Sequence, residues 1–249
     1  MAKQSGIIKL EGTIGDITFY KAKEGHLARG KGGVSGDRIQ NDPTFQRTRE
    51  NGEEFGKSGS AGKLLRDSLR VLLMSASDNL VTSRVTTLMY NVMKQDITSV
   101  RGKRTPAIGI ATATGRGLLK GFNFNNNAVL GAVLYKPYVV APATGVITIA
   151  GLVPSTDIAF PTGTTHVSIT GAMANINFAT GAADVKLTNV LNLAVTAPST
   201  AVTLTPTALP TGTGTKLFLL KVEFFQMVNA VQYPLKNGAY NALAILETA

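Results

Sequence analysis

The 249-residue chain has no cysteine, no tryptophan and only two histidines. Without cysteine there is no disulfide framework, no thiolate nucleophile and no sulfur-ligated metal. His26 and His166 stand far apart, and neither has a second ligand or a catalytic partner at useful spacing. Long apolar runs are missing as well. Val71-Leu72-Leu73-Met74 ends at Ser75, and Lys136 interrupts the run around Val133, well short of the roughly 18 to 20 residues of a membrane span. The opening Met1-Ala2-Lys3-Gln4-Ser5-Gly6 lacks the apolar core of a signal peptide. The expectation is a soluble protein made in the cytoplasm, without a membrane partner.

Acidic residues are scarce, and the charge is unevenly placed. Residues 1–121 hold 20 of the 25 Lys and Arg and 11 of the 15 Asp and Glu, a net of +9, leaving +1 for residues 122–249. A basic half joined to a nearly neutral, Thr/Ala/Val-rich half suggests two jobs. Basic segments attract phosphate backbones or acidic protein surfaces, or they simply solvate an arm and a helix face.

Residues 1–104 read as a basic N-terminal part and residues 105–249 as a β domain. In the first part a hairpin is expected over 6–30. Ile14, Ile17 and Phe19 are β-prone, and Lys23-Glu24-Gly25-His26 supplies a turn before Leu27-Ala28-Arg29. An isolated hairpin is marginal in water and needs a sheet or a neighbouring subunit to rest on. Gly30 to Gly36 reads as a flexible connector. Asp42-Pro43 then caps a helix, with Phe45, Phe55, Leu65, Leu69 and Leu72 on one face. Gly52, Gly56, Gly59 and Gly62 each cost about 1 kcal/mol against alanine. The segment is therefore either one helix with a close neighbour or two helices with a loop at 57–62. Asp78 starts a second helix carrying Val81, Val85, Leu88 and Val92, making a helical hairpin over 43–95.

From about Thr105 short β-prone runs recur, at 128–140, 146–150, 166–169, 184–188, 202–205 and 216–228, separated by Pro and Gly. The last alternates cleanly, Leu217, Leu219, Lys221, Glu223 and Phe225 against Phe218, Leu220, Val222 and Phe224. Lys236-Asn237-Gly238 supplies a further hairpin turn. The fold class expected is α+β, mainly β, ending in an antiparallel β-sandwich of jelly-roll-like or Ig-like form.

Chemistry-bearing motifs are absent or fail on detail. Gly56–Leu64 superficially looks like a phosphate loop. However, five residues rather than four separate Gly56 from Gly62, Leu64 replaces the magnesium-binding Ser or Thr, and no strand precedes it. Gly212–Lys216 reads as a turn. Asp157, Asp184, Glu223 and Glu247 are widely spaced, and adjacent Glu53 and Glu54 point to different sides of a helix. No catalytic, cofactor-binding or metal residue is nominated, no cofactor is expected, and the chain is read as a non-enzyme.

The residues nominated instead are contacts. For assembly they are Phe19, Tyr20 and Leu27 in the arm and Gly52, Gly56 and Gly59 on the helix. For nucleic acid they are Lys21, Lys23, Arg29, Lys31, Arg47, Arg49, Arg101, Lys103 and Arg104. No aromatics are interleaved with these cations, so backbone contact without sequence readout is the expected mode. Arg101–Arg104 also fits a solvated linker.

Three stretches resemble small bacterial and phage-genome proteins. They are Gly6–Asp16, Arg47-Thr48-Arg49-Glu50-Asn51-Gly52, and Glu223–Gln226 with Tyr233–Gly238. The resemblance covers the first 70 and last 35 residues or so, and implies a phage-related structural protein. The expected function is a self-assembling coat, tail or decoration component of a virion or intracellular particle. Its partners would be copies of itself, other particle proteins and non-specific nucleic acid. The alternatives are a nucleic-acid-coating protein acting through residues 21–70 and a glycan-binding module, the latter disfavoured by the missing export signal and tryptophan.

Overall fold

The computed structural model describes residues 2–30 and 32–249, apart from the side chains of Lys236 and Asn237. The chain divides into two compact units between Arg49 and Glu50. The first contains a four-stranded antiparallel sheet of β1 (Ala2–Lys3), β2 (Gly12–Ile14), β3 (Ile17–Ala22) and β4 (Gly25–Gly30), in the order β1-β4-β3-β2. Gly15, at φ +58, opens the two-residue turn between β2 and β3, as a tight hairpin requires. The β3–β4 turn is tighter than expected, Lys23-Glu24 alone, because Gly25 and His26 already pair with Ala22 and Lys21. Part of the Gly30–Gly36 connector is helical: α1 (Gly36–Asn41) is capped by Ser35, whose Oγ accepts from the Arg38 N–H.

Asp42 caps as expected. Its carboxylate accepts from the Thr44 N–H at 2.9 Å, starting a 3-10 turn at Pro43–Phe45 that leads into α2 (Gln46–Ser68). This helix is continuous through all four glycines, so the two-helix alternative does not hold. Phe55 is exposed rather than on the buried face, which is made by Glu54, Ser58, Ala61, Gly62 and Leu65. α3 (Arg70–Leu73) follows. The second helix starts three residues after Asp78, as α4 (Val81–Met93), and the Asp78 carboxylate accepts from the Leu80 N–H at 2.7 Å. Two single-turn helices not foreseen, α5 (Pro106–Gly109) and α6 (Ala113–Gly117), are capped by Thr105 and Thr112.

The body is a five-stranded antiparallel sheet. The elements after α6 are α7 (Leu130–Val133), β5 (Val139–Ala141), β6 (Val146–Leu152), α8 (Pro154–Asp157), β7 (His166–Ile176), β8 (Ala183–Ala194), β9 (Thr200–Leu204), β10 (Thr215–Val228), β11 (Val231–Pro234) and β12 (Ala242–Thr248). The large sheet runs β11-β10-β7-β8, with β12 beside β11 on the same side of β10; β5-β6-β9 form a three-stranded sheet. The run at 128–140 is thus a short helix and an edge strand rather than one strand. The expected C-terminal hairpin is not one either, because β11 and β12 each pair with β10 and not with each other. The tight hairpin is β10–β11, turned by Asn229 and Ala230 at φ +50 and +63.

The alternation read in 217–225 sorts the sheet's two faces. Leu217 and Leu219 join Ala172, Ala174, Ile176, Leu243 and Ile245 under α2 and α4, against Leu65, Leu69, Val85 and Met89. Leu220, Val222 and Phe224 join Val167, Ile169, Ala242 and Leu246 against Ile147, Ile149, Val202 and Leu204 of the small sheet. The helices share a core with the sheet, so the boundary expected at 104–105 does not separate independent parts. Residues 121–124 complete the joint, with Gly121 and Phe124 N–H groups donating to the Ile245 and Leu243 carbonyls of β12.

Close helix contacts rest on particular glycines. A Cβ on Gly62 would lie 3.3 Å from Val85, where α2 meets α4, and one on Gly109 would lie 2.0 Å from the Val92 carbonyl oxygen. Nothing approaches within 4 Å of the Cβ positions of Gly52, Gly56 and Gly59. Gly109→Ala is therefore expected to destabilise the protein by about 3 kcal/mol or more through overpacking against backbone. Gly56→Ala should be neutral or stabilising by up to about 1 kcal/mol. Urea denaturation followed by circular dichroism separates the two.

Candidate interaction surfaces and the ion-pair latch

In the first unit the nominated arm residues fall on both faces of the sheet. Register places Ile14, Ile17, Phe19, Lys21, His26 and Ala28 on one face, and Thr18, Tyr20, Leu27 and Arg29 on the other. Leu27 is buried, so it is the small sheet's own core rather than a free contact. Tyr20 is half-buried with the Arg29 guanidinium 5.4 Å from its ring centre. Phe19 is half-buried on the opposite face, where Ile14 and Ile17 are exposed. Between β1 and β2, the Gln4 side chain brackets Leu10. Its Nε2 donates to the Leu10 carbonyl at 3.1 Å, and its Oε1 accepts from the Leu10 N–H at 2.8 Å. The loop so closed presents Ile7 and Ile8 to solvent.

The nominated cations have different fates. Lys21, Lys23 and Arg47 are exposed. Arg49 donates to the carbonyls of Ile39 and Asp42 at 2.6 and 2.9 Å, closing the end of α1. Lys31 lies outside the described residues. Arg101, Lys103 and Arg104 are not a free basic patch, because each faces an acid on α2. Arg101 Nε lies 3.4 Å from Glu50, Lys103 Nζ lies 3.0 Å from Glu53, and Arg104 grips Glu54 with two bonds of 2.8 and 2.7 Å.

Glu54 is the deepest of these acids, fully buried, and it also accepts from the Gly102 N–H at 2.7 Å. The Arg104 hydrogen bonds hold its carboxyl below the usual range despite burial. Lys57 Nζ donates to the Gly102 carbonyl at 3.1 Å. Gly102 sits at φ +86, and a Cβ there would lie 2.9 Å from the Glu50 side chain, so any other residue would be strained and crowded in the turn. At the other end of this loop Asp96 is buried. Desolvation raises its pKa, but N–H groups of Ser99, Thr98 and Thr105 and the Thr98 hydroxyl outweigh it, lowering the value to about 2. Such a depressed carboxylate stabilises the fold above its ordinary value of 3.8, and the contribution fades as pH falls toward 2. Sequence reading missed Glu54, Asp96 and Gly102. The signal was present in two short clusters of opposite charge, Glu50/Glu53/Glu54 and Arg101/Lys103/Arg104.

Elsewhere in the second unit, Lys221 Nζ lies 3.3 Å from Ser75 Oγ and 2.9 Å from Glu223. A serine beside a lysine resembles a nucleophile and its base. Here Lys221 donates to the serine oxygen and pairs with the Glu223 carboxylate. Gly56–Leu64 lies within α2 and forms no phosphate-cradling loop. Among the described residues no group of three or more His, Cys, Asp or Glu converges to hold a metal, and no helix is long and apolar enough to cross a membrane. An apolar groove of about 860 Å³ runs between α2, α5 and the β7–β8 turn, lined by Gly56, Ala61, Leu64, Pro106, Ile108 and Phe178.

The chain matches no protein-family model, and comparison with curated proteins and with solved structures gives no match.

The latch makes a sharp distinction between neighbouring cations. Arg104→Ala leaves a buried carboxylate unpaired and is expected to cost about 3 to 5 kcal/mol. Lys103→Ala breaks a surface pair and should cost under about 1 kcal/mol. Urea midpoints at pH 7 check this. Repeating them toward pH 2 should show wild-type stability falling, with Asp96→Asn flattening the decline.

Proposed function

We propose that this protein is a self-assembling structural subunit, a homo-oligomer that forms part of a virion or phage-like particle, with its N-terminal unit as the joining arm. The observation that carries the reading is the poverty of that unit's core. Among the described residues up to Arg49, Leu27 is the sole buried side chain, whereas residues 50–249 enclose two cores. Small sheets of this kind lack independent stability unless another surface covers them. We read the body as an antiparallel β-sandwich flanked by helices; the support is the shared core of β6 and β9 with β7, β10 and β12. Assignment to a particle rests on the resemblance of the chain's two ends to phage-genome proteins. Against nucleic-acid coating as the principal role stand the pairing of Arg101, Lys103 and Arg104 with α2 and the use of Arg49 inside its own unit.

Size-exclusion chromatography with light scattering, a 260/280 nm ratio and negative-stain imaging tests this. The expected result is discrete oligomers or regular particles with a protein-like ratio. Deleting residues 1–40 should leave a folded monomer. A full-length monomer at all concentrations, or particles that need bound nucleic acid, contradicts the reading.

A further inference from the structure

We infer that the outer edge of β2 pairs with the same edge of a second copy, joining two four-stranded sheets into one eight-stranded antiparallel sheet across a two-fold axis. This rests on the self-assembly reading above and names its contact. Unpaired sheet edges invite other strands, and natural proteins guard them with charges, prolines or covering segments. Among the described residues every other edge is guarded in one of these ways. β1 carries Lys3. β5 is bracketed by Pro137 and Pro142, and β9 by Pro198 and Pro206. β8 carries Asp184 and Lys186 and is bridged by Thr205 and Thr207. β11 ends in Pro234, and β12 is covered by residues 121–124. β2, Gly12-Thr13-Ile14, is the last strand of its sheet and carries neither charge nor proline within it or on either side, save the flanking Glu11 and the turn residue Asp16.

Its hydrogen-bonding groups are also aimed outward. Ile14 and Ile17 flank the two-residue turn and so form a hydrogen-bonded pair, which makes Thr13 and Thr18 the next, non-hydrogen-bonded pair. The two threonine Oγ1 atoms approach to 3.3 Å, as such close pairs do. The Thr13 N–H and C=O therefore point to the open edge.

A second copy fits this edge better than an unrelated strand would have to. Antiparallel pairing about Thr13 sets Thr13 against Thr13 and Gly12 against Ile14, opposing no like charges within the three-residue strand. The contact is isologous, as a two-fold dimer requires. It also brings two copies of the strip formed by Ile14, 63% exposed, and Ile17, 46% exposed, onto the same face of one sheet.

The absence of cysteine makes the test clean. Full-length Thr13→Cys is oxidised gently beside a Lys23→Cys control at the β3–β4 turn, and both are run on non-reducing gels and by light scattering. Directly opposed Cα atoms about 5.5 Å apart suit a disulfide. The Thr13→Cys protein should form covalent dimer at least tenfold faster than the Lys23→Cys protein. Thr13→Pro removes the outward N–H and should weaken self-association at least tenfold with an unchanged circular dichroism spectrum. If Thr13→Cys links no faster than Lys23→Cys while oligomers persist, the edge contact is wrong and the assembly reading stands. A monomer at every concentration overturns both.

Discussion

Among the described residues, those up to Arg49 make a sheet and a short helix around one buried side chain, Leu27, while the remaining residues enclose two cores on opposite faces of a single sheet. That imbalance governs the account. A 26.1 kDa chain has ample material for burial, yet its N-terminal unit leaves Ile7, Ile8, Ile14 and Ile17 in water. Apolar exposure on a unit with so small a core supports the proposal that it finishes folding against a partner. Strand β2, whose three residues carry neither charge nor proline, is the edge proposed to receive a second copy.

The second constraint is electrostatic. Most of the excess positive charge lies in the first half of the sequence, and bulk charge alone favours nucleic acid there. The fold redistributes that charge. The loop after α4 brings Arg101, Lys103 and Arg104 onto Glu50, Glu53 and Glu54, with Glu54 and Asp96 carried into the interior. A buried carboxylate gripped by arginine is a poor source of net stability but a strong determinant of register, because any other docking of the loop strands a charge. Glu54 lies on the face of α2 that turns inward, and Phe55, one residue on, is left outside.

The elements set by local signals were legible in the sequence. The strict alternation of 217–225 marked the central strand and both its faces, and Asp42 and Asp78 marked the approach to α2 and α4. Other features depend on contacts distant in sequence. The run at 128–140 has strand composition, yet it closes the end of a core as a short helix. Ala230 adopts positive φ in a tight hairpin where glycine is the usual residue. The C-terminal turn joins two strands that both lie along β10. The N-terminal β-element was readable from its hairpin signals, although the expected hairpin over 6–30 is part of a four-stranded sheet. The basic cluster was misleading, because its acidic partners lie some 50 residues away.

Hydrogen exchange as a function of protein concentration tests the central claim most directly, because it reads each strand separately. The amides of β7 and β10 should be protected at every concentration. Those of β3 and β4 should exchange quickly at high dilution and gain protection as concentration rises. Equal, strong protection of β3 and β4 down to the most dilute sample would show that the N-terminal unit is stable alone, and would contradict the account.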